Sequence, residues 1–176
     1  MKRPISLLPP LLLFSLPLGA AQNAPTCETV LAELERTAAA TQSVTRTLTM
    51  RAGERELSHS VVQVVQGENG LEMTTLEQRG QLPPEREGDP EPQRSLLGLP
   101  PGLSCDGHTL TGTEGGYELS LTVADEENPV DSVVLELERR GERLVPLGYT
   151  AAGSVTQFFF TTALGLSMSY RDWEFK

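Results

Sequence analysis

Two cysteines and two histidines are the residues of this chain with the most specific chemistry. Cys27 and Cys105 form an even pair, and the first residues of the chain indicate export to a compartment where disulfides form. A disulfide bond between them is therefore predicted. The alternatives are two buried free thiols or a zinc site completed by His108, three residues after Cys105, and by His59. Nothing in the spacing fixes a tetrahedral geometry, so the disulfide is the favoured interpretation.

The sequence lacks the signatures of common enzymes. No G-x-S-x-G motif marks a serine nucleophile. The glycines at 112, 115 and 116 precede a predicted strand, whereas a phosphate-binding loop leads into a helix. Acidic residues within 125–131 offer oxygens to Ca²⁺, but without the spacing of a helix-loop-helix calcium site. We therefore predict no enzyme activity, no catalytic residue, no metal site and no cofactor.

The first 21 residues have the features of a secretory signal peptide. Lys2 and Arg3 give a positive start, an apolar run extends over 5–18, and Gly19-Ala20-Ala21 supplies the small residues of a cleavage site. The apolar run is short for a bilayer span and is interrupted by prolines. The expected product is residues 22–176, a soluble periplasmic or otherwise exported chain without a stable membrane anchor.

The charge of the chain argues against nucleic acid as a partner. There are 24 acidic and 14 basic residues, which gives a formal net charge of −10, and only 5% of the residues are aromatic. A nucleic-acid-binding protein needs a basic surface and, for single strands, aromatic stacking platforms. The composition supplies neither, and it also disfavours anionic membrane surfaces.

One helix followed by antiparallel strands is the predicted architecture. Val30, Leu34 and Ala38 recur at helical spacing, which predicts a helix over about 27–42. From Val44 onward apolar residues alternate with polar ones, as in half-buried strands. Seven or eight strands are expected, among them 44–50, 56–66, 71–79, 117–123, 132–138, 143–150, 154–161 and 164–175, with a turn at Ala151-Ala152-Gly153.

Two segments in the middle of the chain do not fit a strand. Residues 80–94 are acidic and hold four prolines, which lack the N–H that a central strand needs, so a surface loop or flexible flap is predicted. Residues 95–102 are apolar but broken by Pro100 and Pro101, so we expect them to dock irregularly against the rest. No second block of distinct composition follows, and residues 22–176 are predicted to form one domain.

These elements predict an α+β, mostly β fold. The helix must bury its apolar face against the sheet, and a sheet of this many strands tends to curl. We expect a curled antiparallel sheet that forms an incomplete half-barrel, with the N-terminal helix across its concave face. The enclosed volume is either a filled core or a ligand cavity, and the sequence leaves both open. The candidate lining residues are Leu31, Leu34, Leu48, Met50, Met73, Leu121, Leu135, Phe158, Phe160 and Met168.

The order of several segments resembles the LolA-like family of periplasmic lipoprotein carriers. The matching blocks are VTRTLTM after the helix and, within residues 94–176, RSLLGL, GYELSLTVADEENPVDSVVLELE, RLVPLGYTAAGSVTQFFF and DWEF. The family's Arg-Pro element after the second strand is missing here, so no family arginine is transferred to this chain. Arg46 and Arg79 are interpreted as solvated charges on strands.

The resemblance implies a non-enzymatic carrier that binds an acyl chain, a lipid or a lipidated protein in its half-barrel, with a role in lipoprotein localisation. Release would follow from movement of the helix or of the 80–94 segment. The alternative is an envelope module with a filled core that docks another protein through its acidic face or a sheet edge.

Overall fold

The computed structural model describes residues 25–80, 96–100, 102–124, 129–157 and 160–176. The predicted signal peptide, nearly all of the 80–94 loop and the candidate residue Phe158 lie outside these ranges. So does the side chain of Phe160, although its backbone begins the last strand.

A single helix, α1 (Cys27–Ala40), opens the described part of the chain. The side chain of Thr26 caps it by accepting a hydrogen bond from the Thr29 backbone N–H, and Glu28 lies in the first turn, where a negative charge is favourable. The helix ends two residues before the predicted boundary because the chain passes directly into the first strand at Thr41. Within the described ranges no helix is long and apolar enough to cross a membrane.

Eight strands follow the helix and form one antiparallel sheet. They are β1 (Thr41–Ala52), β2 (Arg55–Gly67), β3 (Gly70–Gly80), β4 (Leu103–Thr113), β5 (Gly116–Val123), β6 (Val130–Arg140), β7 (Arg143–Gln157) and β8 (Phe160–Phe175). Their order is β3-β2-β1-β8-β7-β6-β5-β4, so the pairing of β1 with β8 joins two hairpin series. The strands β3 and β4 lie at opposite ends, and the sheet does not close. The predicted α+β half-barrel with one packed helix is confirmed.

Two details of the strand prediction are wrong. The expected turn at Ala151-Ala152-Gly153 lies inside the continuous strand β7. Gly153 is needed there for space, because a Cβ atom on it would lie 1.8 Å from the carbonyl oxygen of Pro129. The strand β4 was not predicted, since its residues do not alternate cleanly and its pairing with β5 is interrupted between Ser104 and Thr109.

The core lies on one face of the sheet, which we call the inner face. Register places Leu119, Leu135, Tyr149 and Met168 in one row across four neighbouring strands, so their side chains share that face. These four residues are buried in the same cluster as the apolar side of α1. The helix therefore packs on the inner face, as predicted.

Candidate functional site

A short segment without regular structure, residues 96–100, covers part of the inner face; we call it the plug. The side chains of Leu96 and Leu97 are each only 5% exposed and belong to the same cluster as Met168 and Tyr170. The apolar stretch that was expected to dock irregularly thus supplies two leucines to the core. The plug fills space that the half-barrel would otherwise leave open between its strands.

Three side chains of the sheet hold the plug by its backbone carbonyls. The Tyr149 hydroxyl donates to the Gly98 carbonyl at 2.8 Å, and the Tyr170 hydroxyl donates to the Leu97 carbonyl. The Arg46 guanidinium donates through Nη1 to the Leu96 carbonyl at 3.5 Å, the outer limit of a hydrogen bond. We call these three contacts the clasp.

The clasp also depends on a glycine. Gly98 has φ +59°, in the left-handed region that residues with a Cβ atom rarely occupy. A Cβ atom at this position would lie 2.6 Å from Nη1 of Arg46. Any other residue type at this position would require the end of the Arg46 side chain to shift.

Burial shifts the pKa values of the three side chains of the clasp. It raises the pKa of Tyr149 to about 12 and the pKa of Tyr170 well above its usual value, and Arg46 opposes the shift in both cases. Burial also lowers the pKa of Arg46 from its ordinary value. Both phenols therefore stay protonated, and able to donate, to a higher pH than an exposed tyrosine would.

The interpretation of Arg46 as a solvated strand charge is wrong. Arg46 pairs with Val62 on one side and with Tyr170 on the other, so it points to the inner face and is partly buried beneath the plug. Arg46 lies two residues before Leu48, so the two side chains share a face of the sheet. This spacing was the indication in the sequence that Arg46 points inward. Arg79 fits the prediction, since it is exposed and pairs only with its neighbour Glu77 in the contacts described.

The predicted lining residues divide into three groups. Four of them, Leu34, Leu121, Leu135 and Met168, are buried in the core, and Leu31 and Leu48 are half-buried against it. Met50 is half-buried, and Met73 on β3 is 49% exposed. The buried group packs against α1 and the plug, so in this structure the inner face is occupied by the chain's own side chains.

The helix is held on the inner face by stronger connections than the plug. Cys27 and Cys105 form a disulfide that ties the first turn of α1 to β4, as predicted. Farther along, Thr37 donates to the Leu144 carbonyl of β7 at 2.8 Å. The end of the helix continues covalently into β1. Both cysteines are consumed by the bridge, which removes the thiolates that the alternative zinc site required.

A cavity of about 260 Å³ lies between the C-terminal half of α1 and the start of β7. Charged side chains line it, including Glu33, Arg36 and Arg143. It is therefore distinct from the apolar volume that the half-barrel pattern predicts, and none of the predicted lining residues contributes to it.

The strand β3 is the exposed end of the sheet. Most of its residues are solvent-exposed, and two large apolar side chains stand out, Met73 at 49% and Leu76 at 56%. Met73 also reaches the clasp, since its Sδ atom lies 3.4 Å from Nη2 of Arg46. An apolar edge that pairs with no other described strand is a feature of surfaces that bind another chain.

Comparison with known proteins gives no match for this chain among family models, curated proteins or solved structures. Functional inference therefore depends on the geometry described above and on the sequence pattern.

Proposed function

We propose that the protein is an exported, non-enzymatic carrier of the LolA-like type, which binds an acyl chain of a lipid or of a lipidated protein on its inner face. The observation that supports this proposal most is the plug. A segment with two buried leucines occupies an apolar concave surface and is held there by side-chain contacts to three carbonyls.

An acyl chain and the plug would gain similar free energy from the inner face. Burying one leucine side chain contributes about 1.5–3 kcal/mol, so Leu96 and Leu97 together contribute roughly 3–6 kcal/mol. An acyl chain that buries about ten methylenes gains roughly 8 kcal/mol at 0.8 kcal/mol each. The clasp offsets part of the difference, at about 0.5–1.5 kcal/mol for a neutral hydrogen bond and more for one to a charged group. Plug and ligand are thus comparable competitors for the same face, which suits a carrier that must both bind and release.

The plug, rather than the helix, is the element that would move. The helix is tied by the disulfide and by its direct continuation into β1, whereas the plug leads into β4 at Leu103 and its described contacts with the inner face are non-covalent. Of the two release routes that the sequence suggests, the 80–94 segment is the one directly connected to the plug through residue 95.

A second function is favoured by the exposed strand β3. Its outer edge, which no described strand pairs with, and its apolar residues Met73 and Leu76 suit an envelope module that adds a partner's strand to the sheet. A filled core would then be permanent. Purification that recovers a bound protein but never a lipid would favour this function over carriage.

A matched pair of substitutions tests the carrier proposal. Leu48→Gln places an amide beside Met168 on the inner face, and Leu57→Gln makes the same change at an exposed position of β2. Titration with a fluorescent fatty acid should show affinity reduced about tenfold or more for Leu48→Gln, because a polar amide replaces a half-buried apolar side chain on the inner face. The affinity of Leu57→Gln should stay within about twofold of the unsubstituted protein.

Thermal melting of both variants checks that each is folded at the titration temperature. Binding of equal affinity by the two folded variants would place the ligand elsewhere and overturn the proposal. The absence of any binding by the unsubstituted protein would leave the docking module as the better account.

A further inference from the structure

Met73 connects the exposed end of the sheet to the clasp. Its side chain is 49% exposed, yet its Sδ atom accepts a contact from Nη2 of Arg46 at 3.4 Å. The same guanidinium donates through Nη1 to the Leu96 carbonyl of the plug. A chemical change at this sulfur is therefore transmitted to the plug through one side chain.

Met73 is the most exposed of the methionines in the described sheet. Met168 is only 8% exposed and Met50 is half-buried. Oxidation of a thioether follows its exposure to the oxidant, so the sulfur of Met73 should react before those of Met50 and Met168.

We propose that Met73 is an oxidation site through which a peroxide loosens the plug, a form of regulation that rests on the proposed carrier function. One oxygen atom of the peroxide is transferred to Sδ: an S–O bond forms, the O–O bond breaks, and the peroxide is reduced to water. The sulfur loses two electrons and becomes a sulfoxide, which methionine sulfoxide reductases can reduce again.

The sulfoxide changes what Arg46 binds. A thioether sulfur is a weak hydrogen-bond acceptor, whereas a sulfoxide oxygen is a strong one. The guanidinium is partly buried and its contact with the Leu96 carbonyl is already at the 3.5 Å limit. A strong acceptor on the β3 side draws the guanidinium away from that carbonyl. The plug then keeps its two tyrosine contacts and loses the third.

The experiment treats the purified protein with a limiting amount of hydrogen peroxide and maps the products by peptide mass spectrometry. Sulfoxide should appear first at Met73. Hydrogen exchange of the amides of residues 97–99 is then measured before and after oxidation. We expect exchange to rise about tenfold, the change that corresponds to losing one charge-assisted hydrogen bond.

Two variants separate this effect from general damage. Met73→Leu has no sulfur at the position, so its exchange after peroxide should equal its own exchange before peroxide. Met73→Gln carries a strong side-chain acceptor and should raise exchange of the plug without any oxidant. Met50→Leu is the control, and it should respond to peroxide as the unsubstituted protein does.

Three results would overturn the inference: first oxidation at Met50 or Met168, unchanged or slower exchange after oxidation of Met73, or a full peroxide response in Met73→Leu. Binding of a fluorescent fatty acid is followed in the same samples. If no probe binds in any sample, the carrier function fails, while the exchange data still decide whether oxidation of Met73 loosens the plug.

Discussion

The two halves of the inner face are covered in different ways. Over β4 to β7 the cover is α1, which is joined to the sheet by a disulfide at one end and by the chain itself at the other. Over β1 and β8 the cover is the plug, which is held by the side chains of Arg46, Tyr149 and Tyr170. One cover is tied to the sheet by a disulfide, and the other is held by hydrogen bonds and apolar contacts.

Under the carrier proposal, this difference indicates where a ligand would enter. An apolar surface that must stay closed can be sealed covalently, but one that must open needs contacts whose loss costs only a few kcal/mol. The clasp meets that condition because its acceptors are backbone carbonyls, which water can satisfy after opening. The exposed strand β3 lies on the same half as the plug, next to Arg46 through Met73.

Removing the disulfide should have the largest effect on stability. The bridge joins residues 78 positions apart, and closing a loop of that length is worth at most about 4.5 kcal/mol. We expect Cys27→Ser with Cys105→Ser to lower the free energy of unfolding by about 3–4 kcal/mol in denaturant titrations. Native-state exchange at the plug amides should change much less than exchange in α1. Equal loosening of both covers would contradict the distinction between them.

Raising the pH should weaken the hydrogen bonds that hold the plug. The folded pKa of Tyr149 is raised to about 12, so its contribution is complete below the unfolded value near 10 and is lost as the pH rises through 12. The free energy of unfolding should fall by about 3 kcal/mol between pH 10 and 12 from Tyr149 alone. Absorbance of tyrosinate follows the ionisation. Tyr149→Phe should show a smaller fall, and an identical fall would refute this assignment.

A single methyl group at Gly98 should loosen the plug more than one at an unobstructed glycine. Gly98→Ala brings both left-handed backbone strain and a clash with Arg46, whereas Gly107→Ala brings the strain alone, since nothing lies within 4 Å of its Cβ position. The strain costs roughly 1–2 kcal/mol in each variant. We expect Gly98→Ala to cost about 1 kcal/mol more in denaturant titrations. Equal losses of unfolding free energy in the two variants would mean that the Arg46 side chain moves aside without cost.

The ion pair on the helix side should matter least. Glu33 of α1 and Arg139 of β6 approach to 2.9 Å, but both are partly exposed. Glu33→Gln should therefore lower the free energy of unfolding by less than about 1 kcal/mol, and added salt should reduce the effect. Glu77→Gln, which breaks the more exposed pair with Arg79, is the control and should be close to neutral. A loss of several kcal/mol for Glu33→Gln would show that the disulfide is not the dominant tie of the helix.

Much of the fold could be predicted from local patterns. The spacing of Val30, Leu34 and Ala38 predicted the helix, and alternation predicted most strands. The errors occurred where a distant segment decides the local structure. The need for glycine at position 153 comes from the close approach of Pro129. The strand β4 is defined by its pairing with β5. Neither contact produces a periodic pattern in the sequence.

The candidate site was only partly predictable for the same reason. Several of the candidate lining residues lie on the inner face, because apolar residues at every second position of a strand point to the same side of the sheet. The clasp was missed because its acceptors are carbonyls of residues 96–98, whose position depends on tertiary contacts. Arg46 did carry a signal, since it shares the parity of Leu48, but a charge on a strand is ordinarily solvated.

The most direct test of the carrier account is native mass spectrometry of the protein purified from an exporting host, before and after addition of one equivalent of palmitic acid. The account predicts an added mass of one fatty acid or phospholipid that denaturation releases, and a smaller bound fraction in Leu48→Gln than in Leu57→Gln. A protein that stays bare in both samples would contradict it, and the filled core with a docking edge at β3 would take its place.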